Sequence, residues 1–449
     1  MTTHRHRIAV AIASVLAVTA PALAGEIDLS ALGTASHHEQ FIVHLHGAAA
    51  TADNAAGVRG LLGRAASTTR TAGTRVQRQL ATGAVVVRTP QPLDPAEATQ
   101  WMQAIASDPQ VAWVEVDQRL HPALDPNDPL LDQQWGFGTS PASLNVREAW
   151  DSTSGQGQVV AIIDTGRTRH PELDANTLPG YDFISDARIA GDGDGRDADA
   201  ADEGDGNGTD SSSWHGTHVA GTVAAATNNG KGVAGTASGA RIFHARVLGK
   251  GGGYVSDIAD AMVWSAGGDV RGVPANANPA AVLNLSLGGR GNCSRATQTA
   301  VDAAVQMGAT VVVAAGNKNT DVRGHTPANC RGVVAVAATT ARGARASFSN
   351  YGQGITLSAP GDRILSTFNS GAMTPGSPSY GTYSGTSMAA PHVAGVVALM
   401  QSVADRPLSP EMVKDVLIRT ARPLAGSCPQ GCGAGIANAA GAVEAVSGL

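Results

Sequence analysis

From about residue 130 onward, short β-branched and small apolar runs alternate with helix-length stretches. The runs are VVAIID (159–164), AVLNLSL (281–287), TVVVAAG (310–316) and VVAVAAT (333–339). They are almost continuously apolar, so as strands they need cover on both faces. HVAGTVAAA (218–226), residues 294–307 and MAAPHVAGVVALMQ (388–401) read as helices. This alternation restricts the segment to an α/β fold with a doubly wound, mostly parallel sheet. Such sheets bind ligands beyond the carboxyl ends of their strands. The chemically distinctive residues of this chain lie at those ends.

Residues 25–125 have a different texture. Phe41–Leu45, Ala84–Arg88 and Val111–Val116 read as strands, and residues 95–107 as a helix. That mixture in about 100 residues predicts a small α+β domain. Residues 48–74, rich in Ala, Gly, Thr and Arg, carry only a weak pattern. Residues 121–129, with Pro122, Pro126 and Pro129 and no periodicity, read as a linker and an exposed cleavage site.

The first 24 residues hold a basic start, an apolar run over 8–20 and the small-x-small sequence Ala22-Leu23-Ala24. This is the pattern of a secretory signal peptide cut after Ala24. The run is short for a membrane span of about 20 residues. His6 separates Arg5 from Arg7, which excludes a twin-arginine signal. With no other long apolar segment, the expected product is secreted, soluble, free of the membrane and monomeric. Four cysteines in an exported chain predict two disulfides. Of three connectivities the expected one is Cys293–Cys330 with Cys428–Cys432. A formal net charge of −6 gives no reason to expect a nucleic-acid partner.

Four segments carry chemistry. Asp164 ends the run VVAIID and is followed by Thr165-Gly166. His215 opens HGTHVAG and Ser387 lies in GTSMAAPH. Asn317 follows Ala314-Ala315-Gly316. A serine hydroxyl needs a base within hydrogen-bond reach. Histidine takes that proton and returns it to a leaving group. A buried carboxylate fixes the imidazole tautomer. A helix N-terminus at the serine and an asparagine amide suit a developing oxyanion. A strand-end Asp alone is more often a turn residue. His218 and His392 read as structural. No further ligand spacing accompanies His215 and His218, which disfavours zinc.

These motifs, D-T-G, H-G-T-H-V-A-G, A-A-G-N and G-T-S-M-A-x-P-H, resemble those of the subtilisin family. Their order Asp, His, Ser is the family's, and the resemblance covers roughly residues 130–445. It implies Asp164 as orienter, His215 as general base and acid, Ser387 as nucleophile and Asn317 as oxyanion donor. It implies a serine endopeptidase acting on proteins and peptides. It also implies a division into signal peptide (1–24), propeptide (25–125) and catalytic domain (126–449). The propeptide would act as an intramolecular inhibitor removed by autoprocessing.

The same resemblance makes Leu287, Gly288 and Gly289 one wall of the P1 pocket and Ala314, Ala315 and Gly316 the other. An open slot with a preference for large apolar or aromatic P1 residues is expected. Asp321, at its far end, is a candidate for attracting basic P1 residues. The acidic run 191–206 is strongly self-repelling, and a structural Ca2+ ion would relieve that. The expected ligands are Asp194, Asp197, Asp199, Asp202 and Asp205. A second family calcium loop corresponds to Thr227–Val233, where Lys231 brings an opposing charge.

Two other readings compete. An esterase would carry a G-x-S-x-G elbow with its histidine last. A binding protein on a dead version of the fold would lack one of the four catalytic positions.

Overall fold

In a computed structural model, the described residues are 25–32, 37–47, 53–65, 71–118, 126–426 and 428–447. Residues 1–24, expected as a signal peptide, and residues 121–125 of the expected linker lie outside them. The chain divides into two units, Met1–Leu120 and His121–Leu449.

The first unit is a five-stranded sheet with two helices. Its strand order is Glu26–Asp28, Val111–Val116, His38–Leu45, Val85–Leu93, Arg75–Gln79. Helices Asn54–Ala65 and Pro95–Ala106 supply Val58, Leu61, Trp101, Met102 and Ile105 to a core with Phe41 and Val43. The second helix starts on a capping box: Asp94 accepts from the Glu97 amide, and Glu97 accepts from that of Asp94. The first helix falls in the stretch where the sequence shows little pattern. Gly57, Gly60 and Gly63 weaken its apolar periodicity, so tertiary contact rather than propensity holds it.

The second unit is built on a seven-stranded sheet. The order is Leu357–Pro360, Val334–Thr339, Thr310–Ala314, Val282–Leu285, Val159–Asp164, Arg241–Arg246, Tyr181–Asp182. Every pairing in it is parallel. Alternation along one strand shows the two-sided burial. Val160 and Ile162 enter one core, with helices His215–Ala224 and Thr386–Val403. Ala161 and Ile163 enter the other, with helices Val255–Ser265 and Arg295–Gln306. The doubly wound sheet is as expected from the sequence.

Disulfides join Cys293 to Cys330 and Cys428 to Cys432. No helix among the described residues is long and apolar enough to cross a membrane.

Candidate active site

Parallel pairing brings the carboxyl ends of three neighbouring strands to one edge. Ile162 lies opposite Asn284, and Val313 opposite Leu285. Asp164, the segment Ser286–Gly289 and the segment Ala315–Asn317 therefore emerge side by side. Two helices on one face of the sheet complete the edge. One begins at His215, and the other carries Ser387 in its first turn.

Asp164 is fully buried, and its Oδ1 lies 2.7 Å from His215 Nδ1. The same oxygen accepts the Thr165 amide at 2.8 Å. The glycines of the two motifs make this approach possible. A Cβ on Gly216 would stand 2.2 Å from the Gly166 carbonyl oxygen. The Thr165 hydroxyl accepts the Gly216 amide at 2.9 Å and donates to Asp202 at 2.6 Å. The residues following the acid and the base are thus tied to each other. Burial works against a charged His215 ring. The Asp164 charge and hydrogen bond, with Asp205 and Asp202 behind them, outweigh it and hold its pKa above the ordinary value.

Ser387 reciprocates with Ser286. Its Oγ donates to the Ser286 carbonyl at 3.0 Å, and Ser286 Oγ donates to the Ser387 carbonyl at 2.7 Å. Pro391 explains the second bond. It has no N–H to give to the carbonyl four residues back, which leaves the Ser387 carbonyl for Ser286. No hydrogen bond joins Ser387 to His215 in this state; the Ser387 hydroxyl is turned to Ser286. Asn317 Oδ1 accepts both the amide and the hydroxyl of Thr386 at 2.8 Å. Thr386 Oγ1 in turn accepts the Gly316 amide at 2.9 Å. With Oδ1 so held, the Asn317 NH2 group is left to donate beside Ser387.

His218 and His392 are buried, with burial lowering their pKa values to about 3 and about 4. His218 Nε2 meets the Ile364 and Gly381 carbonyls, and His392 Nδ1 meets that of Met388. Both are neutral packing residues.

Sequence reasoning missed the buried Asn350. Its Nδ2 donates to the Ala315 carbonyl at 2.8 Å. Its Oδ1 accepts the Lys318 and Thr320 amides at 3.0 and 3.1 Å. It therefore clamps the backbone on both sides of Asn317. Nothing in its local sequence marks it, because its partners lie about 30 residues away. Thr386, inside a quoted motif, was equally unassigned.

The structure separates the five aspartates named for calcium. Asp202 is buried against Thr165 and the Gly204 amide. Asp205 accepts the amide and hydroxyl of Ser213, two residues before His215. Both brace the approach to the base. Asp194, Asp197 and Asp199 remain at or near the surface, in local turns. Two arginines also enter the run. Arg246 pairs with Asp182 and Asp192, and Arg196 with Asp257 and Asp260. Among the described residues no three His, Cys, Asp or Glu side chains converge as a metal ion requires. In the second loop, the Asn228 and Asn229 amides donate to Asp128, and the Asn229 side chain to Glu172. The sequence reading had named neither acid.

Of the expected pocket residues, Leu287 is partly exposed and Gly288 and Gly289 are exposed, whereas Ala314, Ala315 and Gly316 are buried. Asp321 is bound by Arg323 at 2.8 Å, which removes the basis for recruiting basic P1 side chains.

The sequence profile of the Subtilase family matches residues 155–440. The chain belongs to the subtilase family. This subtilase is 56% identical over 444 residues to an "Extracellular protease" of Xanthomonas campestris pv. campestris, covering 96% of this chain and 77% of that one. It is 48% identical over 384 residues to the "Extracellular basic protease" of Dichelobacter nodosus, covering 82% of this chain and 63% of the relative. Among solved structures, a protease of Pseudoalteromonas arctica PAMC 21717 superposes with a TM-score of 0.70 at 51% identity, covering 72% of this chain and 99% of that one. The chain is a subtilisin-like serine protease.

Asn317→Ala is expected to lower kcat by about two to three orders of magnitude with little change in KM. That is the loss known for removing one oxyanion-hole amide from subtilisin. Steady-state kinetics on a chromogenic peptide checks it; an unchanged kcat would remove Asn317 from the oxyanion site.

Proposed function

We propose that this subtilase is a secreted endopeptidase that cleaves proteins through an acyl-enzyme on Ser387. The observation that carries the reading is the hydrogen bond of buried Asp164 to His215, at the sheet edge where the helix bearing Ser387 in its first turn also begins. His215 Nε2 takes the Ser387 proton as Oγ attacks the scissile carbonyl. The Asn317 amide and the Ser387 backbone N–H receive the oxyanion. The imidazolium, stabilised by Asp164, then protonates the leaving amine. Water, deprotonated by the same ring, releases the acid product. The slot between Leu287–Gly289 and Ala314–Gly316 receives the P1 side chain. The N-terminal unit, residues 25–125, is an inhibitory propeptide that the enzyme removes itself. Residues 1–24 direct export.

Treatment with a serine-directed phosphonylating reagent tests the reading. Casein hydrolysis should stop, with the label on the Ser387 peptide. Hydrolysis that survives full labelling would sink it.

A calcium ion on the acidic run belongs to the same proposal. Hard carboxylate oxygens suit calcium; Asp194, Asp197 and Asp199 stand apart in local turns and would have to draw together to hold it. When bound, the ion relieves their mutual repulsion and steadies the segment leading to His215. Chelator should lower the melting temperature by several degrees, about 1–2 kcal/mol of lost linkage. An unchanged melting curve would remove calcium from the account.

A further inference from the structure

The two glycines on opposite sides of the P1 slot face the same side chain. A Cβ on Gly288 would lie 2.7 Å from His325 Nε2, and one on Gly316 would lie 2.4 Å from it. The imidazole therefore fills the space that the small residues 288 and 316 leave between the walls. His325 is 8% exposed, and neither ring nitrogen has a hydrogen-bond partner among the described residues. Burial, and then the Lys318 charge, hold its pKa below the ordinary value, so the ring is neutral at neutral pH. A neutral imidazole offers one N–H donor and one acceptor.

The segment bearing His325 is fastened to the wall it faces. Gly289 and Arg290 pair antiparallel with Thr326 and His325. The Gly291 amide donates to the Gly324 carbonyl at 3.0 Å, and the Asn329 side chain donates to the Gly291 carbonyl at 2.9 Å. The Cys293–Cys330 disulfide closes the same connection covalently. The ring is thus held in place without using its nitrogens.

We infer that His325 is the floor of the P1 slot and a specificity-determining residue of this enzyme. It makes the slot short and gives it a hydrogen-bonding end. Medium-length P1 side chains fit above it, and among those of equal length one with a polar tip is preferred. Aromatic P1 side chains meet the ring and are disfavoured, the reverse of the open slot expected from the sequence. The inference rests on the endopeptidase reading and names its substrate class.

The test uses mature enzyme, with active sites counted by phosphonylation, on peptides differing only at P1: Met, Gln and Phe. Wild type should cleave after Met faster than after Phe, and after Gln at least as well as after Met. His325→Ala should raise the Phe-to-Met ratio of kcat/KM by at least about tenfold, the usual size for steric discrimination in a pocket. It should also lower the Gln-to-Met ratio by about threefold to tenfold, one hydrogen bond's worth. His325→Phe keeps the bulk and removes the nitrogens. It should still disfavour P1 Phe yet lose the Gln preference, and it decides the question should the alanine variant fail to fold. Ratios unmoved in both variants, or a wild type that prefers P1 Phe tenfold over Met, would overturn the inference. A wild type that never labels at Ser387 would instead strike the hydrolase reading beneath it.

Discussion

Ser387→Ala is expected to lower kcat on peptide substrates by about six orders of magnitude, the loss known for the nucleophile of subtilisin, with KM nearly unchanged. The hydroxyl enters a covalent bond only after substrate is bound, so its removal leaves binding intact. The oxyanion donors and the bound geometry persist, and a residual acceleration of about a thousandfold to ten-thousandfold over water should remain. Structure should survive, because Ser387 Oγ makes a single hydrogen bond, to the Ser286 carbonyl. Ser286 is itself buried, so the variant gives up that one hydrogen bond, about 1 kcal/mol. The same variant should keep residues 25–125 attached when expressed alone, since self-cleavage uses the same serine. Active-site kinetics and mass measurement of the secreted product check both. Removal of residues 25–125 from purified Ser387→Ala would show that processing is done by another enzyme.

Asp164→Asn should lower kcat by about four orders of magnitude at neutral pH. The amide fills the same buried volume, but its NH2 group faces His215 Nδ1 or its oxygen loses the charge that stabilises the imidazolium. The pH profile should move as well. The ring acts as base only when neutral, so activity rises with pH through the His215 pKa. In the wild type that pKa is raised, with Asp164 the foremost raising cause against burial. Without the carboxylate, burial dominates and the pKa falls. The acid limb of kcat/KM should therefore shift to lower pH while the plateau drops. A variant whose acid limb stays in place would mean that another group titrates there.

Much of this site was legible because its chemistry is local. Asp164, His215, Asn317 and Ser387 each sit in a short stretch whose glycines and alanines mark a close backbone approach. The sheet was legible where strands are apolar on both faces. Strand Arg241–Arg246 was not, because Arg241, His244 and Arg246 interrupt its apolar run. Arg246 is buried there only because Asp182 and Asp192 meet it from elsewhere, a pairing that no local window contains. The hairpin Ile364–Asn369 with Pro378–Tyr383 was missed because small polar residues fill it.

The acidic run shows the opposite error. A cluster of like charges in sequence suggests one shared cation, but the fold distributes the carboxylates. Asp202 goes to Thr165, Asp205 to Ser213 and Asp192 to Arg246. Residues 318–330 read as the far end of the pocket, but His325 was not singled out within them. It reaches Gly288 and Gly316 only through the antiparallel pairing of residues 289–290 with 325–326.

The most direct test of the central claim is to catch the covalent intermediate. Mature enzyme is mixed with an activated ester substrate, quenched in acid within milliseconds and digested for mass analysis. The account predicts a burst of alcohol product equal to the active-site concentration and an acyl mass increment on the peptide containing Ser387. A missing burst, or an acyl group on any other residue, would contradict it.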